Sequence, residues 1–200
     1  MTLTDLAPGF ADPVRDAAVS FRTILDAMAR PGELKLLPVK APVPAPLNGA
    51  AVCIALSLMD PDTPYWLAPD LRNDRIIGHF SFHTGAPFDA DIAKAQFAFF
   101  PVADLPQVML DLAIGTDEYP DRSATAIALV PGFDVVGGAR LAGPGIETTC
   151  DFAPGGMTAD AWDALERNAM LFPLGVDTIF AGPDSLAAIP RSTRLTRLEA

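Results

Sequence analysis

The side chains with the strongest claim to chemistry are two histidines, two cysteines, a few carboxylate pairs and one basic segment near the C-terminus. His79 and His83 lie four apart in HFSFH. In a helix their imidazoles share a face; in an extended segment, which Gly78 and the alternating Phe80 and Phe82 permit, they stand too far apart to chelate easily. With no third ligand in view, no metal site is expected, and a structural or partner-contact role suits the pair better. Cys53 sits inside the apolar run AAVCIALSL and Cys150 next to Asp151. Burial and an acidic neighbour both disfavour a thiolate, so neither is expected to act as a nucleophile. Asp60 with Asp62, and Asp117 with Glu118, read as solvated turn residues, because adjacency alone tunes no pKa.

G-x-S-x-G, the Walker loop and G-x-G-x-x-G are all absent. Gly143-Pro144-Gly145 offers backbone donors to an anion, but Pro144 removes one of them and a tight turn is the better reading. The segment Ile189 to Arg194, IPRSTR, is the best local candidate: two guanidiniums and two hydroxyls follow an apolar stretch. Arg191, Ser192, Thr193, Arg194 and His83 are therefore the candidates for anion or interface contact, and no catalytic residue is assigned. On this reading Arg191→Ala leaves folding largely intact and weakens assembly or anion contact.

These residues must be positioned by a chain of 200 residues that is 50% hydrophobic and 20% charged, the make-up of one globular domain over residues 1–200. Fourteen Lys and Arg stand against 25 Asp and Glu, a net charge of -11, which disfavours nucleic acid. Arg191, Arg194 and Arg197 recur at three-residue intervals near Glu199, as one local basic patch. MTLTDLAPGF carries Asp5 and no basic residue, so it lacks the charged lead of a secretory signal. The longest uncharged stretch, Ala41 to Met59, is broken by Pro42, Pro44 and Pro46, which argues against a membrane span. Two cysteines make no disulfide framework, and a cytoplasmic, reduced setting is expected.

Twenty prolines, about twice the usual frequency, predict short elements with stiff connections. A helix is expected over residues 12 to 30, capped by Asp12, started by Pro13 and ended by Pro31-Gly32, with Val14, Ala17, Phe21, Ile24, Leu25 and Met28 as one apolar stripe. Glu33 to Leu37 suggests a short strand, followed by an extended proline-rich linker. Asn48 predicts the cap of a buried helix from Ala50 to Met59. Strands are expected at Tyr65 to Ala68 and Gln96 to Phe100, and helices at Asn73 to Phe80 and Asp104 to Ala113. Ala124 to Val130 and Val135 to Leu141 read as an antiparallel hairpin, with a bulge or bend at Gly137-Gly138. A helix capped by Thr158 is expected to run to Met170, then strands at Asp177 to Ala181 and Leu186 to Ile189. The sum is an α/β fold: a mixed sheet flanked by helices, without a clean succession of parallel crossovers.

Read together, SFR at Ser20, DPDTPYWL at Asp60, Asn73-Asp74, FHTGAP at Phe82, Gly115-Thr116, LAGPGI at Leu141, FPLGVD at Phe172 and IPRST at Ile189 resemble the PhnH family, in order along nearly the whole chain. The resemblance implies a reduced pyridoxal-phosphate-dependent transferase fold without its cofactor, and a homodimer when isolated. It also implies partnership with PhnG, PhnI and PhnJ counterparts in the carbon-phosphorus lyase core complex. That complex forms ribose 1-phosphonate 5-triphosphate from a nucleoside triphosphate and an alkylphosphonate. No catalytic residue carries over. Lys35, Lys40 and Lys94 are the only lysines and none lies in a cofactor motif, so no cofactor is expected. The alternative is a self-sufficient enzyme or binding protein for phosphorylated small molecules, its site lined by Arg191, Ser192, Thr193 and His83.

Overall fold

In the computed structural model, described over residues 7–134 and 138–198, the N-terminal helix forms where the capping chemistry places it. Helix α1 (Pro13–Ala29) begins with Asp12 accepting the Arg15 amide at 3.1 Å and with Pro13 in its first turn. Asn48 does the same for α2 (Gly49–Leu58), Asn73 for α3 (Asp74–Thr84) and Thr158 for α5 (Ala159–Met170). Gly85 ends α3 at φ +75°, a left-handed conformation that a Cβ would strain. Helix α4 (Leu105–Asp111) follows one 3-10 turn. Asp5 and Glu199 lie outside the described residues.

A six-stranded mixed sheet forms the centre: β1 (Lys35–Leu36), β2 (Tyr65–Leu67), β3 (Phe97–Pro101), β4 (Thr125–Leu129), β7 (Asp177–Ala181) and β8 (Ser185–Ile189). Its order is β1-β8-β7-β4-β3-β2. Strands β2, β3, β4 and β7 are parallel neighbours, while β8 is antiparallel to β7 and to β1. Parallel strands covered on both sides read as continuous apolar runs, as FAFF and TAIAL do. Register sets Tyr65, Phe99, Ile127 and Ile179 on one face, where Phe80 of α3 lies 5.4 Å from the Tyr65 ring and 5.3 Å from that of Phe99. Helix α2 is buried between α1, α3 and the sheet, which explains why it is apolar nearly all round. On the other face Phe180 meets Phe152 at 5.2 Å, and Phe152 meets Trp162 of α5 at 6.5 Å.

Phe152 belongs to a second sheet of three antiparallel strands, ordered β6-β5-β9: β5 (Ala139–Ala142), β6 (Cys150–Phe152) and β9 (Arg194–Arg197). This corrects the expected hairpin. Strand β4 has parallel partners on both sides and no free edge for the chain that follows. Instead, Phe133 bridges to Pro154 and leads away from the central sheet. The expected strand's first residues, 135–137, lie outside the described residues. Parallel crossovers are also more regular than composition suggested, since β2, β3, β4 and β7 stand side by side in sequence order. The apolar stripe read on α1 divides: Ile24 is buried and Ala17 and Met28 are half-buried against the core, whereas Val14, Phe21 and Leu25 face outward. Gly143-Pro144-Gly145 is a tight turn, closed by the Ile146 amide on the Gly143 carbonyl at 3.2 Å.

Asn168 ties α5 to the residue that precedes β7. Its Nδ2 donates to the Val176 carbonyl and its Oδ1 accepts the Val176 amide, both at 2.9 Å and both buried. Asn168→Ala strands both backbone groups, so urea unfolding is expected to show a loss of about 3 kcal/mol. Asn168→Asp keeps the acceptor but sets a buried carboxylate oxygen against the Val176 carbonyl, so near neutral pH it is expected to lose at least as much as Asn168→Ala.

Candidate functional site

The IPRST segment is the turn between the two sheets: Thr193 donates its amide to the Pro190 carbonyl at 2.9 Å, and β9 starts at Arg194. Arg191 points inward there. Its amide and Nε donate to Asp177 Oδ1 at 2.9 and 3.2 Å, and one terminal nitrogen donates to Asp177 Oδ2 at 2.9 Å. The other terminal nitrogen donates to the Pro120 carbonyl at 2.6 Å. Both side chains are largely withdrawn from solvent. An anion seeking Arg191 would have to displace a bidentate carboxylate already in place. Thr193 is buried with its hydroxyl unpaired among the described residues, and Ser192 is half-buried. Arg197 pairs with Asp163 of α5 at 2.9 Å, which leaves exposed Arg194 beside the groove between α5 and β9. The three arginines therefore serve three different ends and form no single patch.

Contrary to the extended alternative, HFSFH is helical, and His79 and His83 face each other with ring centroids 4.6 Å apart. Both bind the Ala7 carbonyl, His79 through Nδ1 at 3.1 Å and His83 through Nε2 at 3.0 Å. A carbonyl only accepts, so each of these nitrogens carries its proton. That leaves Nε2 of the fully buried His79 as the bare nitrogen, without a partner among the described residues. Burial pushes the His79 pKa below its ordinary 6.5, and the neighbouring His83 adds to the effect. The pair thus holds the N-terminal segment against α3. No group of three or more metal-ligating side chains occurs among the described residues. Burial pushes the Cys53 thiol up to about 11 and raises that of Cys150 as well, with Glu33 and Asp151 adding to the latter.

Two surface features escaped sequence reading. A cleft of about 350 Å³ opens where β2 and β3 end, lined by Trp66, Asp70, Asp104, Gln107 and Asp111. Burial, and then Asp70, raise the pKa of Asp104. Arg72 is the nearby cation, but its Nε donates to the Leu67 carbonyl at 2.7 Å and its guanidinium lies over the Trp66 and Phe88 rings. The carboxylates oppose direct binding of a phosphate in this cleft. The second feature is apolar: Leu110, 67% exposed, Met170, 76% exposed, and the exposed Leu171 and Phe172 at the ends of α4 and α5. Grooves of about 220 and 570 Å³ run on either side of α5, the larger bordered by Arg194. Solvent-facing side chains of this size, close together, suit burial against another chain. The available signal was FPLGVD, whose apolar residues continue past the end of α5 with no strand or helix to use them.

Arg191→Ala is expected to lower stability by about 2 kcal/mol in chemical unfolding, with Arg191→Lys failing to restore it, because one ammonium cannot span Asp177 and the Pro120 carbonyl. His79 gives a pH signature. Its folded pKa is lowered, so the stability involved is fully present above 6.5 and is lost as pH falls through 6.5 toward the folded value. Urea midpoints between pH 7.5 and 5.5 are expected to fall less steeply in His79→Asn, whose amide can still donate to Ala7.

The family model described as bacterial phosphonate metabolism protein PhnH matches residues 8–196. Over 190 residues, 94% of either chain, the protein is 38% identical to the alpha-D-ribose 1-methylphosphonate 5-triphosphate synthase subunit PhnH of Rhizobium meliloti strain 1021. It is 32% identical over 104 residues, 52% of this chain and 53% of the other, to the putative C-P lyase subunit protein HtxG of Stutzerimonas stutzeri. The match to the family model takes in α1, both sheets and the Arg191 turn, and this chain belongs to the PhnH family.

Proposed function

We propose that this chain is a subunit of the carbon-phosphorus lyase machinery of phosphonate breakdown, contributing surfaces to the assembly that forms ribose 1-phosphonate 5-triphosphate and contributing no catalytic side chain of its own. Membership of the PhnH family and the likeness to the Rhizobium synthase subunit support the assignment to that assembly. The observation that carries the non-catalytic part is the contrast between polar and apolar surface. The first candidate for anion contact, Arg191, is spent on Asp177, the cleft at the strand ends is acidic, and exposed apolar side chains gather at the ends of α4 and α5. A protein that grips a phosphorylated small molecule by itself needs the reverse arrangement.

The partners in this reading are counterparts of PhnG, PhnI and PhnJ, with a homodimer as the isolated form and the cytoplasm as the compartment. A reduced transferase fold that has lost pyridoxal phosphate is the finer reading of the architecture. The lysines bear on the cofactor alone: Lys35 pairs with Asp26 and Glu33, Lys94 pairs with Asp91, and Lys40 is exposed, an arrangement that leaves none poised for a Schiff base.

Coexpression with the three counterparts and size-exclusion chromatography with mass measurement is expected to yield one complex. Leu110→Asp with Phe172→Asp is expected to weaken that complex by about tenfold or more while sparing the fold, as an interface anchor does. Tight binding of a nucleoside triphosphate or an alkylphosphonate to the isolated chain in calorimetry, with elution apart from the other subunits, would favour the self-sufficient alternative.

A further inference from the structure

Helix α1 lies on the α3 side of the central sheet, opposite the α4-α5 ridge, and its outward side has no role in the fold. Val14 is 83% exposed, Phe21 46% and Leu25 56%, and exposed Ala18 falls between them. The spacings are four, three and four residues, the seam spacing by which one helix packs along another. An open groove of about 510 Å³ runs beside this stripe, closed on one side by Ser57 of α2.

Charge decides what this seam can accept. Each carboxylate in or capping α1 is engaged within the chain: Asp12 accepts the Arg15 amide, Asp16 accepts the Asp12 amide, and Asp26 pairs with Arg30 and Lys35. Arg15 and Arg22 are exposed and sit in the same flanking position, one residue after Val14 and after Phe21. Neither has an ion-pair partner among the described residues, on a molecule whose net charge is -11. If two copies paired this seam antiparallel about a two-fold axis, Arg15 of each would face Arg22 of the other, and like charges would meet twice. A head-to-tail contact between copies would not close on itself.

We infer that the outward face of α1 is a docking seam for a different subunit, one that presents an apolar helix or ridge fringed by Asp and Glu on the side facing Arg15 and Arg22. The inference rests on the assembly reading above. Phe21 and Leu25 would be the buried anchors, and the two guanidiniums would fix the partner's register and speed its encounter.

The test uses the full chain coexpressed with the PhnG, PhnI and PhnJ counterparts, comparing wild type with two variants by mass and by the salt dependence of dissociation. Phe21→Glu with Leu25→Glu is expected to lower capture more than tenfold. Arg15→Glu with Arg22→Glu touches no core residue and puts a favourable acid in the first turn of α1, so its thermal midpoint stays near that of wild type. It is expected to weaken capture several-fold at low salt and to flatten the salt dependence. A wild-type complex that both variants join undiminished overturns the docking seam and leaves the assembly reading standing. A wild-type chain that joins no complex overturns the assembly reading and the seam together. If the isolated protein's self-association by sedimentation is what the variants abolish, the occupant is a second copy and the inference is wrong.

Discussion

The passage from one sheet to the other hangs on the contact between Arg191 and Asp177. Strand β8 ends at Ile189 in the central sheet, and five residues later β9 begins in the second one. In between, Arg191 binds the first residue of β7 through both its backbone and its guanidinium, and reaches across to the Pro120 carbonyl. Three distant pieces of chain are fixed by one planar side chain with donors pointing in several directions, which lysine cannot replace. Where β9 starts decides where β5 and β6 pair, and hence where Phe152 sits between Phe180 and Trp162. The α5-β9 groove, with Arg194 on its rim, exists because this turn is held.

The same economy of positive charge runs through the molecule. Of the 14 basic residues, six (Arg30, Lys35, Lys94, Arg140, Arg191 and Arg197) are in ion pairs. Arg72 and Arg122 lie over aromatic rings. Among the described residues, that leaves Arg15, Arg22, Lys40, Arg75, Arg167 and Arg194, four of which border the two exposed apolar surfaces. Exposed ion pairs add little to stability, so their value lies elsewhere. In an acidic chain, cations left unpaired beside apolar residues give an interface its register and its choice of partner.

The helix starts were legible because a capping residue and its first turn are local: Asp12-Pro13, Asn48, Asn73 and Thr158 each begin a helix in the structure. The strands of the central sheet were also readable from apolar runs, although their pairing was not, and the three-residue β6 carries too short a pattern to read. TAIAL fits an edge of a hairpin or the middle of a parallel sheet equally well until the neighbours on both sides are known. Strand β9 was hidden for another reason. Arg194 to Arg197 alternates little and looks like a solvated basic tail, and only the partner strand β5 makes it a strand. Arg191 read as an exposed contact because its partner, 14 residues earlier, carries no local mark. The helical facing of His79 and His83 was one of two readings, and the cap at Gly85, beyond both histidines, decides it.

Strand order explains why the candidate surfaces lie on helices and not at the end of the sheet. Ligand crevices in open α/β sheets form where the order of successive strands reverses and the connecting loops part. Here β2, β3, β4 and β7 follow one another in space as they do in sequence, so no reversal splits the loops at their carboxyl ends. The one cleft near those ends, beside β2 and β3, is rimmed by Asp70, Asp104 and Asp111, and its nearest guanidinium is bound to backbone and stacked on rings. Nothing there draws a phosphate in directly. Apolar side chains that the core has no room for instead collect along α1 and at the ends of α4 and α5, on opposite sides of the sheet. A rigid sheet between two such surfaces fixes their spacing, so whatever covers one is held at a set distance and angle from whatever covers the other.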